Sequence, residues 1–281
     1  QKGEPIADIT PEINATGCGA RYDKDGVDAA GAFFATLSDC GDIETTEEDR
    51  PFIYTFRNLF NNSYGHGKFR GGAGVGFGLM VHDSPMLVLG AMGGGSRFPT
   101  TLGLFGGNAV PPTFVQYVHN SNLTELMSAA DTNLPNNLAA VYGPSNPEHG
   151  DRHFHETNMM VRPFTNGDTY YLGVGGGGGY GDAIERDPVA VIRDLRRDLV
   201  THWAARNVYH VIYDEETLRL DADATERHRL GVRQARIKRG KPYAEFVRDW
   251  EKLAPPPELL TYYGSYPDPE SGLTEQNPAL S

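Results

Sequence analysis

Only two cysteines, Cys18 and Cys40, occur in 281 residues. So few exclude a disulfide framework, and their separation excludes the CxxC spacing of a metal or redox site. The two can in principle pair, but a reduced, cytoplasmic setting is the simpler expectation. Positive charge is also scarce: 25 Lys and Arg stand against 37 Asp and Glu, for a formal net charge of −12. That balance excludes a general attraction to phosphate backbones or anionic lipid, so neither nucleic acid nor a membrane is an expected partner. No apolar run approaches the roughly 20 residues that cross a bilayer, and Gln1-Lys2-Gly3-Glu4 lacks the apolar core of a signal peptide. The sequence starts at Gln1 rather than Met, which processing, numbering or a natural split would each explain.

Complete catalytic sets are missing as well. Spacing alone assembles no Ser-His-Asp or Cys-His constellation, and nothing matches HExxH on a helix. No catalytic residue and no metal ligand is assigned.

Glycine is what the chain has in quantity, 34 residues of it, with 19 prolines. From about residue 10 to residue 175, short apolar runs alternate with Gly, Pro, Asn and Thr clusters, the pattern of strands joined by irregular loops. Met86–Leu89 and Thr113–Val118 have strand length and β-forming residues. Beyond the glycine run Gly175–Gly179 the character changes. Asp187-Pro188 supplies an N-cap and a proline at the first helical position, and Val191, Ile192, Leu195, Leu199 and Trp203 follow at helical spacing. Thr201 is placed to cap a second short helix. Val208–Tyr213 reads as a strand, Ala224–Arg239 as a charged helix ended by Gly240 and Pro242, and Glu245–Leu253 as a further helix with Phe246, Val247 and Trp250 on one side. The expected fold class is α+β: a glycine-rich β domain over residues 1–175, a smaller helical part over 176–254, and an extended interacting tail over 255–281. No unit repeats.

Four segments carry candidate chemistry. Gly175-Gly176-Gly177-Gly178-Gly179-Tyr180-Gly181-Asp182 lies between an apolar strand and a helix. Its backbone N–H groups can form an anion nest, or the run can be a tight crossing packed against another chain. It lacks the Lys-Ser/Thr of a P-loop and the placement of a dinucleotide turn. In Asn62–Gly72, His66, Lys68 and Arg70 alternate, so an extended chain turns all three to one side, suited to a carboxylate, bicarbonate or phosphate. The bland alternative has Phe69 packing inward and the cations facing water. His153 and His155, near Glu148 and Glu156, share a strand face that fits either a metal or a solvated polar segment. Asp23, Asp25 and Asp28 imitate a calcium loop, but Phe34 falls where a chelating Glu belongs, leaving a polar turn. The basic run Arg227–Arg239 suits an acidic surface or another subunit.

Several of these motifs together resemble hydantoinase B and oxoprolinase proteins. Thr16-Gly17-Cys18-Gly19-Ala20-Arg21 and Asp23–Gly31 resemble their GxGAR and KDG stretches. Gly67-Lys68-Phe69-Arg70-Gly71-Gly72 is similar to an RGG segment, and Leu104-Phe105-Gly106-Gly107 to a GLFGG-type turn. Gly176–Asp182 with Glu185-Arg186-Asp187-Pro188 is similar to GGGGYGDPLERDP, with Ala183 where proline is usual and Tyr209-His210 where Tyr-Gly is usual. The order agrees over residues 16 to 209. Asp42–Glu44 and Asn62-Ser63 lie closer to the C-terminal part of acetone and acetophenone carboxylase large subunits.

That resemblance implies a part of an ATP-dependent ketone carboxylase that joins bicarbonate to a ketone through phosphorylated intermediates, and that is not active alone. It implies ATP and a divalent metal (Mg, Mn or Zn) held mainly on other parts of the complex. The implied partners are a hydantoinase A-type ATPase subunit and another hydantoinase B-type subunit or N-terminal part. The carboxylases' metal-binding His and Asp lie in that N-terminal part, so no position here inherits the role. What this chain can add are anion contacts from His66, Lys68, Arg70 and the backbone of Gly176, Gly177 and Gly178. Two alternatives stand beside it: a subunit of an ATP-dependent cyclic-amide hydrolase of the oxoprolinase or hydantoinase type, and a non-catalytic structural subunit.

Overall fold

A computed structural model describes residues 16–32, 35–36, 40–92, 101–154 and 159–253, with single residues 7, 99 and 257. The expected tail over 255–281 and the position of His155 therefore lie outside the described residues, residue 257 excepted. The mixed architecture is α+β, as the sequence pattern indicates. A small ribbon pairs β1 (Gly31–Ala32) with β2 (Ala35–Thr36), and α1 (Ile43–Asp49) follows, its first turn capped by Asp42, whose side chain accepts from the Thr45 amide. Then come β3 (Phe52–Leu59), β4 (Val75–Val81), β5 (Leu87–Met92), β6 (Phe114–His119), α2 (Leu123–Ser128), α3 (Leu138–Tyr142), β7 (Asp151–Phe154), β8 (Met159–Phe164) and β9 (Thr169–Gly173).

The main sheet is antiparallel throughout, in the order β3-β4-β9-β6-β7, and β5 pairs with β8 in a separate ribbon. Alternation along each strand divides the side chains between two cores. One face carries Phe77, Leu79 and Val81 of β4 with Phe52, Val115 and Tyr170, and takes Leu87, Leu89 and Phe164 from the ribbon. The other carries Phe56, Val118 and Tyr171 under Leu138 and Val141 of α3. Every residue of β4 is buried because the strand has neighbours on both sides and layers on both faces. Gly76 and Gly78 make that fit possible: a Cβ at Gly76 would stand 2.7 Å from Leu138, and one at Gly78 2.8 Å from the Tyr171 ring.

Glu148 ties the helical face together. Its buried carboxylate accepts from the hydroxyls of Ser121 (2.8 Å), Thr169 (2.6 Å) and Tyr171 (2.9 Å). Nearby, α2 ends in a left-handed residue, Ala130 (φ 51°), whose amide donates to Met127 O while Asp131 N–H returns to Leu126 O. Glycine is the residue this geometry favours, because Cβ crowds the left-handed state by about 1–2 kcal/mol. Ala130→Gly is therefore expected to raise stability by about 1 kcal/mol, seen as a higher urea midpoint with an unchanged slope.

After β9 the helices begin as the sequence indicates. Asp187 caps α4 (Pro188–Arg196), with proline at its start, and Thr201 caps α5 (His202–Asn207), accepting from the Ala204 amide. Val191, Ile192, Leu195, Ala204 and Ala205 close a third core with Tyr209, Val211 and Tyr213. The expected strand Val208–Tyr213 is not formed. Its alternate residues Tyr209, Val211 and Tyr213 do point inward, but His210 is left-handed (φ 53°), and only a single bridge, Tyr213 to Leu220, pairs the segment. No helix among the described residues is long and apolar enough to cross a membrane.

By packing, the chain divides into two units, residues 1–229 and 230–281. The first holds the glycine-rich segments together with α4 and α5, so the glycine run crosses this unit rather than bounding it, and the division falls inside α6 (Ala222–Arg239). In the second, Gly240 ends α6 with its amide on Arg236 O and Ile237 O, and α7 (Tyr243–Trp250) stacks Phe246 against Trp250 with ring centroids 6.1 Å apart.

Candidate functional site

The four glycine-rich segments that carry the sequence motifs meet in one place. Residues 16–30, 63–74, 101–110 and 175–181 run side by side and bond laterally, backbone to backbone. Gly17 N–H reaches Gly175 O, Ala20 N–H reaches Gly178 O, Gly65 N–H reaches Gly177 O, and Leu104 N–H reaches Gly179 O. Glycine is required here by close approach. A Cβ at Gly177 would lie 1.9 Å from Cys18 O, and one at Gly71 would lie 1.8 Å from Gly177 O.

That lattice takes up two of the three amides expected to form an anion nest, those of Gly176 and Gly177. The amides of Gly176, Gly177 and Gly179 donate to Ser63 O, Gly72 O and Asn108 O, at 2.9 to 3.0 Å. The glycine run is a tight crossing, packed against segments of its own chain.

An ion-pair ladder pins the lattice to α4. Arg186 grips Asp25 with both terminal nitrogens (2.6 and 2.8 Å) and reaches Asp194 Oδ2 at 2.7 Å. The same oxygen accepts from Arg70 Nε at 3.2 Å, and Arg70 Nη1 continues to Asp28 at 2.7 Å. Arg70, Arg186 and Asp194 are each no more than 3% exposed. Burial opposes charge on Asp25, but its bonds to Arg186 and to the Arg70 amide outweigh that and hold its carboxyl below the usual range. Burial likewise opposes charge on Asp28, and the Arg70 and Ala73 hydrogen bonds overcome it. No local pattern marks this ladder: Asp25 and Asp28 look like a polar turn in the sequence, and nothing near them signals that their partners lie 161 and 42 residues away. Arg229 is unmarked too: within the basic run, it is buried, with its guanidinium on Tyr209 O and Arg186 O.

The three alternating cations part company. Arg70 is engaged in the ladder and lies over the Tyr64 ring at 4.7 Å. His66 sits edge-on to both Tyr64 and Tyr209, and its Nδ1 shares a 2.9 Å hydrogen bond with the Tyr209 hydroxyl. Lys68 alone has a half-exposed side chain, 4.0 Å from Glu185. Burial, assisted by the Arg186 charge, pushes the His66 pKa down to about 4. The ring is thus neutral in the folded chain, while an unfolded one titrates near 6.5. The unfolded state alone binds this proton between those values, so stability should fall by roughly 3 kcal/mol as pH drops from 6.5 through 4. His66→Gln is expected to flatten that limb in urea titrations at pH 7.5, 5.5 and 4.5.

Of the third motif, His155 and Glu156 lie outside the described residues. His153 on β7 stacks flat on Tyr117 at 5.0 Å, and Glu148 faces the sheet hydroxyls instead. Among the described residues, no three His, Cys, Asp or Glu stand close enough to hold a metal ion. Cys18 and Cys40 form no disulfide.

Comparison with known proteins fits the motif reading. The hydantoinase B/oxoprolinase family profile matches residues 5–183. The chain is 34% identical to the acetophenone carboxylase delta subunit of Aromatoleum aromaticum over 270 residues, covering 95% of this chain and 39% of that protein. It is 32% identical to the caprolactamase subunit beta of Pseudomonas jessenii over 219 residues, covering 76% of this chain and 32% of the relative. Among solved structures it is similar to a nucleotide-free acetone carboxylase, with a TM-score of 0.73 at 26% identity over 90% of this chain and 33% of that one. The chain thus spans from 32% to 39% of the length of these proteins.

Proposed function

The chain belongs to the hydantoinase B/oxoprolinase family, and on that footing we propose that it works as one part of an ATP-dependent ketone carboxylase assembly. The reaction joins bicarbonate to a ketone through phosphorylated intermediates. The observation that carries this reading is the match to an acetophenone carboxylase subunit along nearly the whole of the chain.

Such chemistry needs a base for the proton α to the carbonyl, a Lewis acid, and fixed donors for phosphoanions. Among the described residues no three metal-ligating side chains cluster, and the amides of Gly176, Gly177 and Gly179 are bonded within the chain. In this reading the nucleotide and metal steps belong to the rest of the assembly, with a hydantoinase A-type ATPase and another hydantoinase B-type part as partners. This chain's share is to hold a rigid surface in register, from which Lys68 presents an exposed ammonium as its anion contact.

A second reading, hydrolysis of a cyclic amide, is favoured by the match to a caprolactamase subunit. The two separate cleanly in ATP turnover by the intact assembly. Carboxylation predicts ATP hydrolysis that requires ketone and bicarbonate together; hydrolysis that requires a lactam and ignores bicarbonate would replace it.

A further inference from the structure

Strands β6 and β7, at the end of the main sheet, bring two histidines together. Tyr117 pairs with His153 across the strands and His119 with Asp151, so His119 and His153 are diagonal neighbours on one face. Their ring centroids lie 5.9 Å apart. Between them Tyr117 braces both rings, flat on His153 at 5.0 Å and edge-on to His119 at 5.2 Å.

Asp168 sets the chemistry of the first ring. This buried carboxylate accepts from the Asn120 amide (2.9 Å), the Thr165 amide (2.8 Å) and the Thr165 hydroxyl (3.2 Å), and its Oδ2 meets His119 Nδ1 at 2.8 Å. A carboxylate engaged in this way only accepts, so Nδ1 carries the proton and Nε2 keeps its lone pair. Among the described residues nothing is hydrogen-bonded to His119 Nε2 or to either nitrogen of His153, and both rings reach solvent. An imidazole with one nitrogen held by a buried carboxylate and the other open is the arrangement metal-ligating histidines take, because the carboxylate fixes the ring and raises its basicity. The Asp168 bond alone would serve the turn; a second open imidazole beside it adds nothing to that role.

We propose that His119 and His153 together bind one divalent transition-metal ion of the imidazole-preferring kind, such as zinc, with Asp168 as the outer carboxylate and water in the remaining positions. Two imidazoles on one ion, each nitrogen about 2.0–2.1 Å from it, stand with their centroids about 5 Å apart. Rotation of the exposed His153 side chain closes the difference from 5.9 Å without moving a strand. Nitrogen donors exclude calcium and magnesium, which take oxygen. With two protein ligands rather than three, the site keeps an exchangeable ion with open positions. Of the sequence motif only His153 takes part, and its companion comes from the neighbouring strand. The inference is independent of the assembly reading above.

Zinc ion titrated into the metal-free 281-residue chain tests it, followed by calorimetry and by the nitrogen resonances of the imidazoles. The resonances of His119 and His153 should shift together and saturate at one ion per chain. Loss of an outer carboxylate alone weakens metal binding by about 10- to 100-fold, so loss of a ligand ring should cost at least about 10-fold. His153→Ala removes an exposed ring and should show that loss with an unchanged urea midpoint; His119→Gln, which keeps a donor for Asp168, should show it as well. His228→Ala breaks another close imidazole pair, His210 and His228 with centroids 5.4 Å apart, and should bind as wild type does. Zinc binding that survives both His153→Ala and His119→Gln undiminished would overturn the site. So would binding abolished by His228→Ala, or resonances of His119 and His153 that zinc leaves unmoved.

Discussion

Gly177→Ala should destabilise the protein by roughly 3 kcal/mol or more, while Gly19→Ala, one strand away in the same lattice, should change stability by less than about 1 kcal/mol. The asymmetry comes from what a methyl group meets. At Gly177 it would lie 1.9 Å from Cys18 O, 2.2 Å from Cys18 C and 2.5 Å from Gly19 N, all of them backbone atoms. Backbone cannot rotate away as a side chain does, so the segment 16–30 must separate from 175–181, losing bonds such as Gly17 N–H to Gly175 O. At Gly19 nothing lies within 4 Å of the added carbon. There alanine only narrows the unfolded ensemble, a small stabilisation where the backbone is compatible. Equilibrium urea unfolding of the two variants measures the difference. Equal losses would mean that the lattice does not exclude side chains as described.

The second large effect is expected at Arg186. Arg186→Met should cost on the order of 3 kcal/mol, because it takes the main cation from buried Asp194 and part-buried Asp25, leaving them only Arg70 at 3.2 Å and Arg193 at 3.7 Å. The loss is not the worth of the ion pair. It is the cost of leaving two carboxylates under-compensated, so replacing both Arg186 and Asp194 with apolar residues should recover part of it. A pH signature accompanies the change. Asp25 has its folded pKa held below the ordinary 3.8, so its contribution is present above that value and is lost as pH falls through the lower one. In Arg186→Met that acid-sensitive contribution should be smaller, and the stability curve below pH 4 correspondingly flatter. An unchanged acid limb would place the cause of the loss elsewhere.

Local signals in the sequence were read well because their causes are local. Asp187-Pro188 starts α4, Thr201 caps α5, and Gly240 ends α6, since each depends on residues within one turn. Strand β6 likewise follows from its own β-branched and aromatic run. Val208–Tyr213 misled for a physical reason: burial alternates as in a strand, yet a left-handed His210 denies it a ladder. The candidate site was legible only as a set of motifs. Their order marked the family, while the interlocking of four glycine segments and the ladder Asp25–Arg186–Asp194–Arg70–Asp28 depend on approaches between distant parts of the chain. Alternation placed His66, Lys68 and Arg70 on one side, but could not tell that burial would neutralise the first and an ion ladder engage the third. A single sequence carries no direct record of such pairings.

Native mass spectrometry with subunit identification, on the assembly this chain occupies when isolated from its source without a tag, tests the central claim most directly. The account predicts this chain in complex with an ATPase-type subunit and a second hydantoinase B-type part. A stable lone monomer would contradict it.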